Sequence, residues 1–309
     1  MNKVWVTGDA VVDLIPDGET CYLKCPGGAP ANVAVAISRL GGKTAFFGRV
    51  GQDPLGRFMK QTLTDEKVDT DAMLLDKAQR TSTVIVDLDD EGERSFTFMV
   101  KPSADQFFSI EDIPTFISGQ WIHSCSIALA NEPSRSATLE AMQRMKSVGG
   151  FISFDPNLRE EVWAKPSQIK EVVTSAVELA DVVKFSEEEL TFLTNTETLD
   201  SALDALNAEP NKLIIVTLGA RGALAVFNGE RRVITGTKVE KVIDTTGAGD
   251  AFVGGLLAKL SQSADWRCWA TVQSAVNWGN GCGALATTQK GAMTALPTLT
   301  QLSELIVEE

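Results

Sequence analysis

Histidine is almost absent from this sequence of 309 residues, in which His123 is the single example. A histidine-rich zinc site is therefore excluded, and a Ser–His–Asp relay would have to pass through that one residue. Ser124 is adjacent to it, but neighbouring residues on a strand point to opposite faces, and residues 121–125 are predicted to be a strand. We interpret His123 as a structural residue, with a position in a substrate pocket as the alternative.

Positive charge is also scarce. The chain has 28 lysine and arginine residues against 41 aspartate and glutamate residues, which leaves a net charge of −13. A protein this acidic is a poor binder of nucleic acids and of anionic membranes. No apolar run approaches the length that spans a bilayer. We therefore expect neither nucleic acid nor a membrane as a partner, and we expect any phosphate ligand to be held by local donors or by metal.

Cysteines are few, scattered and odd in number. The five are Cys21, Cys25, Cys125, Cys268 and Cys282. The first two are separated by three residues with no second pair nearby, which does not support a metal site. Residues 1–9 resemble a first strand more than a signal peptide, so we expect a cytoplasmic protein with reduced thiols.

Hydrophobic residues make up 44% of the chain, which is enough for a sizeable core. Apolar strands alternate with helices, as is typical of an α/β fold with a mainly parallel sheet covered on both faces. The predicted strands are 4–7, 44–48, 121–125, 151–155, 182–185 and 213–218. The predicted helices are 30–40, 54–66, 133–147, 166–179, 187–193, 250–260 and 266–285. We expect one domain over residues 1–309.

Two stretches break this alternation, approximately residues 11–26 and 82–100. The first is extended around a turn at 16–18, and the second contains two β-rich runs joined by the acidic turn 89–93. Turn residues between β-rich runs predict hairpins. Inserted into an α/β core, these strands would form a lid, with an edge extension of the sheet as the alternative.

The most informative motif is the glycine turn of residues 244–250, DTTGAGD, which leads into an apolar helix. The start of a helix leaves backbone N–H groups without partners, and together with the helix dipole these groups favour an anion. Asp250 places a carboxylate at the same point. It is either a structural carboxylate, which is common, or, in the sharper interpretation, a catalytic base beside an incoming phosphate.

Several polar residues follow predicted strands, where open α/β sheets bind their ligands. They are Asp9, Asp13, the segment from Gly27 and Gly28 to Asn32, and the segment from Asp155 to Arg159. Each of these groups alone is weak evidence for a binding site, since paired glycines often only make a turn and an aspartate often only caps a helix. As a group they suit a polyol, because carboxylates accept hydroxyl protons, an amide donates and accepts, and a guanidinium donates.

Two other patterns resemble nucleotide-binding motifs only in part. Gly42-Lys43-Thr44 matches the end of a P-loop, but position 37 is isoleucine where the P-loop requires glycine. Residues 279–284 fit the dinucleotide pattern G-x-G-x-x-A, but they lie within or after a predicted helix instead of after a strand. A dehydrogenase is therefore disfavoured.

Two motifs together resemble those of the ribokinase-like carbohydrate kinases, and within them the bacterial fructokinases of the sucrose-utilisation type. The first runs from the GGAPANVA segment of residues 27–34 to the GRVGQDPLG segment of residues 48–56, and the second is residues 244–252. The resemblance covers essentially the whole chain. It implies a three-layer sandwich with a small β-sheet lid, and ATP-dependent transfer of the γ-phosphate to the 6-hydroxyl of D-fructose.

The resemblance also implies roles for the matching residues. Asp250 would take the proton from the primary hydroxyl of the sugar, and Arg159 would lie near the sugar and the transferred phosphoryl group. The anion hole would consist of the backbone N–H groups of Gly247, Ala248 and Gly249. The sugar would be bound by Asp9, Asp13, Gly27, Gly28, Asn32, Arg159 and Asp250.

The implied cofactors are ATP and Mg²⁺, with K⁺ left open. The nucleotide would lie along Lys184, Glu189, Thr217, Gly219, Gly222, Gly249, Asn277 and Asn280. Glu189 would hold Mg²⁺ through water, although Ser186 stands where the family often has asparagine, and acids in the first turn of a helix are the alternative. The K⁺ site would be formed by Asp244, Thr246, Ala286, Gln289 and Gly291. Beside this site, Ala295 stands where ribokinase has a hydroxyl residue.

Three functions remain open on the sequence. The first is a fructokinase, and the second is a kinase for aminoimidazole riboside, 2-keto-3-deoxygluconate or another substrate of the same family. The third is a sugar sensor without catalysis, against which the intact Asp250 argues. A homodimer joined through the lid strands is an expectation from the resemblance alone.

Overall fold

The computed structural model describes residues 1–88, 94–206 and 209–307, except for the side chains of residues 87, 88, 94–96 and 307. The strands are β1 (Val4–Thr7), β2 (Val11–Asp17), β3 (Cys21–Gly27), β4 (Thr44–Gly51), β5 (Met73–Asp76), β6 (Thr83–Leu88), β7 (Arg94–Phe98), β8 (Trp121–Cys125), β9 (Phe151–Asp155), β10 (Val182–Ser186), β11 (Leu213–Thr217), β12 (Gly222–Phe227) and β13 (Glu230–Thr235). The helices are α1 (Ala29–Arg39), α2 (Pro54–Asp65), α3 (Ser134–Ser147), α4 (Ile169–Leu179), α5 (Glu187–Thr194), α6 (Leu199–Leu206), α7 (Ala248–Leu260), α8 (Trp269–Ala286) and α9 (Leu299–Val307).

The main sheet is mostly parallel, as the alternating sequence pattern predicts. In the described part of the chain its strand order is β13-β12-β11-β10-β9-β8-β1-β4-β5. The strands from β11 to β5 in this order pair in parallel, whereas β12 and β13 pair antiparallel at one edge. Parallel strands need crossover connections, and the intervening helices that supply them cover both faces.

The core is divided by the sheet into two clusters, which gives the three layers of the predicted sandwich. Because side chains on a strand alternate between faces, β11 sends Leu213 and Ile215 to one cluster and Ile214 and Val216 to the other. The first cluster includes apolar residues of α1, α7 and α8, and the second includes those of α3 and α4. Burial of each such aliphatic side chain stabilises the fold by about 1.5–3 kcal/mol.

The two segments that interrupt the alternation come together as a second, four-stranded sheet in the order β3-β2-β6-β7. β2 pairs antiparallel with β3, so that Asp13 lies opposite Cys25, and β2 also pairs in parallel with β6. The predicted hairpins are therefore present. The acidic turn 89–93 lies outside the described residues.

Some helix boundaries differ from the prediction. The helix expected from residue 166 begins at Ile169, after a short 3-10 turn over Pro166–Gln168. The helix expected from residue 266 begins at Trp269, because the buried Trp266 belongs to the core and the chain turns into the helix only at Cys268. Among the helices of the described residues, none combines the length and apolar character needed to cross a membrane.

Candidate active site

A glycine turn leads into helix α7 and places Asp250 in its first turn. Gly247, the residue that caps the helix, has a φ of 76°, and a Cβ built on it would lie 2.9 Å from both Cα and Cβ of Ala292. Glycine is required here for two reasons, since an L side chain is strained at that φ and the neighbouring backbone leaves no room. The turn therefore packs directly against residue 292.

The backbone N–H groups of this turn are not equivalent. The N–H of Ala248 donates to the carbonyl oxygen of Thr245 at 3.2 Å, so one of the three predicted anion-hole donors is already engaged. Within the described residues, the N–H groups of Gly247 and Gly249 have no backbone acceptor. Two donors at the positive end of α7 are thus available to an anion.

Asp250 is fixed by a side chain from another helix. Asn32, in the first turn of α1, donates from Nδ2 to Oδ2 of Asp250 at 2.8 Å. Asn32 is only 3% exposed, as is Asp9. In the described part of the structure Oδ1 of Asn32 and Oδ1 of Asp9 are buried without a hydrogen-bond partner. Buried polar atoms are normally satisfied, so these two oxygens indicate the position of a polar ligand.

The site carboxylates are poised to gain protons near neutral pH. Burial raises the pKa of Asp250 to about 6, against the lowering effects of the hydrogen bond from Asn32 and of the charges of Lys184 and Arg159. Burial also raises the pKa of Asp9 to about 7, with further increases from the charges of Asp105 and Asp250. Perturbed carboxylates that share a cleft are typical of catalytic sites.

The paired glycines allow the backbone to approach Asp9 and Asp13 closely. A Cβ on Gly27 would lie 2.6 Å from Oδ2 of Asp13, and a Cβ on Gly28, whose φ is 96°, would lie 2.6 Å from the carbonyl oxygen of Asp9. The junction between β3 and α1 therefore passes directly against both aspartates. The structure brings Asp9, Asp13, Gly27, Gly28 and Asn32 into one neighbourhood, as predicted.

A cavity of about 450 Å³ opens beside Asp9, within the ~300–1,000 Å³ range of small-molecule sites. The lining of this cavity includes Phe98, Asp105, Gln106, Phe107, Asn131 and Trp163. Sequence reasoning missed most of these residues, because apart from Phe98 they lie outside the β-strands and α-helices in segments without a recognisable motif. Two signals were available, the placement of segment 126–131 directly after the predicted strand 121–125 and the position of Phe98 in the predicted lid.

Arg159 lies on the exposed side of the site. Its Nη1 donates to the carbonyl oxygen of Leu158 at 2.8 Å, and its charge lowers the pKa of both Asp9 and Asp250. It is therefore near the two carboxylates, although in the described structure neither of them accepts a hydrogen bond from it. An exposed guanidinium at this distance suits an anion that arrives from solvent.

A buried ion pair lies under the glycine turn. Nζ of Lys184 contacts the two carboxylate oxygens of Asp155 at 3.1 and 3.3 Å, and it lies 3.5 Å from the position of a Cβ on Gly249. Burial lowers the pKa of Lys184, but the charges of Asp155 and Glu189 outweigh it and the net pKa is raised. Lys184 is thus a permanent cation below the glycine turn.

Glu189 caps the start of α5, which agrees with the alternative interpretation of this residue as an acid in the first turn of a helix. Its Oε2 accepts from the N–H of Ser186 at 2.8 Å while the Ser186 hydroxyl accepts from the N–H of Glu189, which forms a capping box at the start of α5. Its Oε1 accepts from the N–H of Leu158 at 3.0 Å. No cluster of three acidic, cysteine or histidine ligands occurs among the described residues. These residues fit a Mg²⁺ ion held mainly by phosphate and water, with a single carboxylate nearby.

Five of the eight predicted nucleotide residues lie around the turn after β11 and on the facing helix α8. Gly222 has a φ of 102°, and a Cβ on it would lie 2.2 Å from the carbonyl oxygen of Ile234, so the turn requires glycine. Thr217 donates to the carbonyl oxygen of Phe185 at 3.2 Å, and Gly219 has a φ of 59°. Asn277 is exposed on α8.

Asn280 is buried one turn further along the same helix. Its Nδ2 donates to the carbonyl oxygens of Ile234 and Thr235 at 3.2 and 3.0 Å. The amide nitrogen therefore holds the end of β13 against α8.

The residues expected to bind K⁺ form a tightly bonded loop pair. Oδ1 of Asp244 accepts from the N–H and the hydroxyl of Thr246, at 3.1 and 2.7 Å, and Oδ2 accepts from the N–H of Gly291 at 2.8 Å. Ala286 is buried at the end of α8, Gln289 is exposed, and Ala295 is buried. Since the Asp244 carboxylate is engaged by these donors, carbonyl oxygens of the two loops are the better ligands for a monovalent cation.

His123 is fully buried, and its Nδ1 lies 3.0 Å from the hydroxyl of Ser153. Burial, together with the charge of Lys184, lowers its pKa to about 3. It is therefore neutral at physiological pH, in agreement with a structural role.

Comparison with known proteins identifies the chain. A fructokinase from Vibrio alginolyticus is 65% identical over 306 residues, which cover 99% of both chains. A double-mutant fructokinase from Vibrio cholerae O395, in a crystal structure with fructose, ADP and a potassium ion, is 63% identical with a TM-score of 0.94 and covers 99% of this chain and 98% of that one. Aminoimidazole riboside kinase from Salmonella enterica, with aminoimidazole riboside and an ATP analogue, is 41% identical with a TM-score of 0.91 and covers 99% of each chain. The pfkB family of carbohydrate kinases matches residues 1–299, and this chain belongs to that family.

Proposed function

We propose that this chain is an ATP-dependent fructokinase that phosphorylates the 6-hydroxyl of D-fructose. The observation that carries the proposal is the position of Asp250, which is bonded to Asn32 and lies close enough to Asp9 for its charge to raise the pKa of Asp9. A base, polyol-binding groups and the N-terminus of a helix thus meet at one site. The fructokinases of the two Vibrio species, at 65% and 63% identity, support fructose as the sugar.

The chemistry follows from this geometry. Asp250 accepts the proton of the 6-hydroxyl while the sugar oxygen forms its bond to the γ-phosphorus of ATP. The bond from the γ-phosphorus to the bridging oxygen breaks, and ADP leaves with that electron pair. The N–H groups of Gly247 and Gly249 stabilise the charge that develops on the transferred phosphoryl oxygens, and Arg159 contributes from the solvent side.

The phosphate chain would lie above the buried pair of Lys184 and Asp155. Lys184 supplies positive charge below the turn, and Asp155 prevents it from moving. When bound with ATP, Mg²⁺ supplies further neutralisation of the phosphates. Glu189 would bind the water ligands of that ion through the oxygen lone pairs that its capping bonds leave available.

The identity of the substrate is tested with a coupled ADP-release assay on D-fructose, aminoimidazole riboside and 2-keto-3-deoxygluconate. We expect turnover on fructose to exceed turnover on the other two. Turnover on the riboside alone would select the second candidate, which the 41% identity to aminoimidazole riboside kinase supports. Binding of fructose without turnover on any sugar would select a sensor.

We propose that the four-stranded sheet is a lid over the sugar and the contact surface of a homodimer. Asp13 lies on β2, and Phe98 at the end of β7 lines the cavity beside Asp9. On β3, Tyr22 and Leu23 are 55% and 57% exposed, which is costly for a monomer. Sedimentation of the wild-type protein and of Leu23→Glu tests the dimer, and we expect the variant to be monomeric.

We propose K⁺ as an activator bound between residues 244–246 and 286–291. The two loops are already tied, since the carbonyl oxygen of Thr287 accepts from the N–H groups of Ile243 and Asp244. A cation there would hold the glycine turn in place. Replacement of KCl by tetramethylammonium chloride at constant ionic strength should lower kcat, whereas an unchanged kcat would remove the proposal.

A further inference from the structure

The cavity beside Asp9 contains a buried polar chain that the transfer chemistry does not use. The hydroxyl of Ser103 donates to Oδ1 of Asp105, and Nε2 of Gln106 donates to Oδ2 of Asp105, both at 2.5 Å. Nδ2 of Asn131 donates to Oε1 of Gln106 at 3.0 Å. Asp105 is 6% exposed, so Ser103 and Gln106 hold a buried carboxylate in one orientation on the wall of the cavity, and Asn131 in turn fixes Gln106.

Asp9 and Asp105 line the same cavity, whereas Asp250 is not among the described residues that line it. Asp9 therefore connects the neighbourhood of the proposed base with this cavity, in keeping with the charges of Asp105 and Asp250 that both add to the effect of burial on its pKa. A sugar whose 6-hydroxyl meets Asp250 extends past Asp9 into the cavity, where Asp105 lies on the wall.

The end of the sugar that reaches Asp105 is the anomeric end. In the furanose form of a ketohexose this end carries the 2-hydroxyl and the 1-hydroxymethyl group, whereas in a riboside it carries a nitrogen heterocycle. Each oxygen of Asp105 retains a free lone pair after its fixed bond, so the carboxylate can accept from both hydroxyls. Trp163 also lines this cavity, and its Nε1 is buried without a hydrogen-bond partner in the described structure. Buried donors are normally satisfied, so this one also indicates a polar ligand.

We infer that Asp105 is a specificity-determining residue that accepts hydrogen bonds from the hydroxyls at the anomeric end of a ketohexose, and that Ser103 and Gln106 hold its carboxylate for that purpose. This inference rests on the proposed fructokinase activity. The walls around Asp105 include Phe98, Phe107 and Trp163. A substrate that lacks these hydroxyls leaves a buried acceptor unpaired between apolar walls, which costs binding energy and selects against it.

The test compares wild-type protein and Asp105→Asn on D-fructose, 2,5-anhydro-D-mannitol, which lacks the 2-hydroxyl, and 1-deoxy-D-fructose. For wild-type protein we expect kcat/KM to fall by roughly 10- to 100-fold when either hydroxyl is removed. In the variant we expect kcat/KM for fructose to fall, chiefly because KM rises, so that the three sugars have similar values of kcat/KM. A loss of the same factor on all three sugars means that Asp105 is merely structural and overturns the inference.

Two further measurements keep the inference testable. Should Asp105→Asn fail to fold, Ser103→Ala leaves the carboxylate in place but removes one of its fixed donors, and the fructose preference must narrow in that variant as well. Should wild-type protein not phosphorylate fructose, the proposed function fails separately. Calorimetry then measures the affinity of the wild-type protein for fructose and for the two analogues. Binding of each analogue that is roughly 10- to 100-fold weaker supports the role of Asp105, and equal affinities overturn the inference.

Discussion

Asn32 donates from Nδ2 to Oδ2 of Asp250 across 2.8 Å, and this bond joins the first turn of α1 to the first turn of α7. The bond favours the ionised carboxylate, and it opposes the effect of burial, which raises the pKa of Asp250 to about 6. Asp250 is thus kept largely ionised at pH 7 without being made too weak to accept a proton, as the proposed role of general base requires. One amide both orients this carboxylate and tunes its proton affinity.

Asp250→Asn removes the base but preserves the shape of the side chain. We expect kcat to fall by about 10²–10⁴-fold, the usual contribution of a general base, with a much smaller change in the affinity for fructose. ADP release measures the first quantity and calorimetry the second. A kcat within tenfold of wild type would show that Asp250 is not the base.

The pH dependence of turnover reports the same carboxylate. Because Asp250 acts only when ionised, we expect kcat/KM to fall as pH drops through about 6, with Asp9 contributing to the same limb since its pKa is about 7. Asn32→Ala removes the bond that lowers the pKa of Asp250, so its acid limb should move to higher pH. The profiles of the two proteins provide the check, and a limb that stays in place or moves to lower pH contradicts the assignment.

Much of the fold is predictable because continuous apolar runs define buried parallel strands. The bounds of β1, β8 and β9 are those predicted, since each is a short apolar run. β13 was missed because its six residues, ERRVIT, are mostly exposed, with Ile234 alone among them buried. β13 lies at the edge of the sheet and is held by backbone pairing with β12, so its own sequence has no continuous apolar run that would predict a strand.

Part of the candidate site could likewise be predicted from the sequence, and part could not. Asn32 and Asp250 belong to motifs and Asp9 follows the first predicted strand, and the structure brings these three residues together as expected. The cavity lining around Asp105 was not predictable, because those residues come from loops that only the folded chain brings beside Asp9. Nor does a motif disclose that the N–H of Ala248 is already bonded, since this depends on the exact path of the turn.

Asp9→Asn should stabilise the protein while it weakens sugar binding. The pKa of Asp9 is about 7 in the folded state against 3.8 as the reference for the unfolded chain, so ionisation of Asp9 opposes folding above pH 3.8 and does so fully above pH 7. The variant should therefore melt at a higher temperature than wild type at pH 8, with the difference vanishing towards pH 4. Its affinity for fructose should fall at least tenfold, on the order of one lost charged hydrogen bond.

Melting curves at several pH values measure this effect, and Asp200→Asn is the matched control. The side chain of Asp200 is 89% exposed, so the same substitution there should leave the melting temperature almost unchanged at every pH. If Asp9→Asn lowers the melting temperature at pH 8, burial does not disfavour the ionised form of Asp9, and the pKa argument for the site is wrong.

Gly247→Ala separates backbone strain from packing at the anion-binding turn. Gly247 and Gly229 have nearly the same φ, 76° and 77°, but a Cβ on Gly229 has no atom within 4 Å whereas one on Gly247 lies 2.9 Å from Ala292. Gly229→Ala should therefore cost only the strain of a positive φ, about 1–2 kcal/mol. Gly247→Ala should cost more and should also lower kcat, because the turn must shift away from residue 292 and takes the donors of the anion hole with it. Chemical denaturation and ADP release on both variants measure the two effects, and equal losses of stability with unchanged kcat would show that the turn does not position the phosphoryl group.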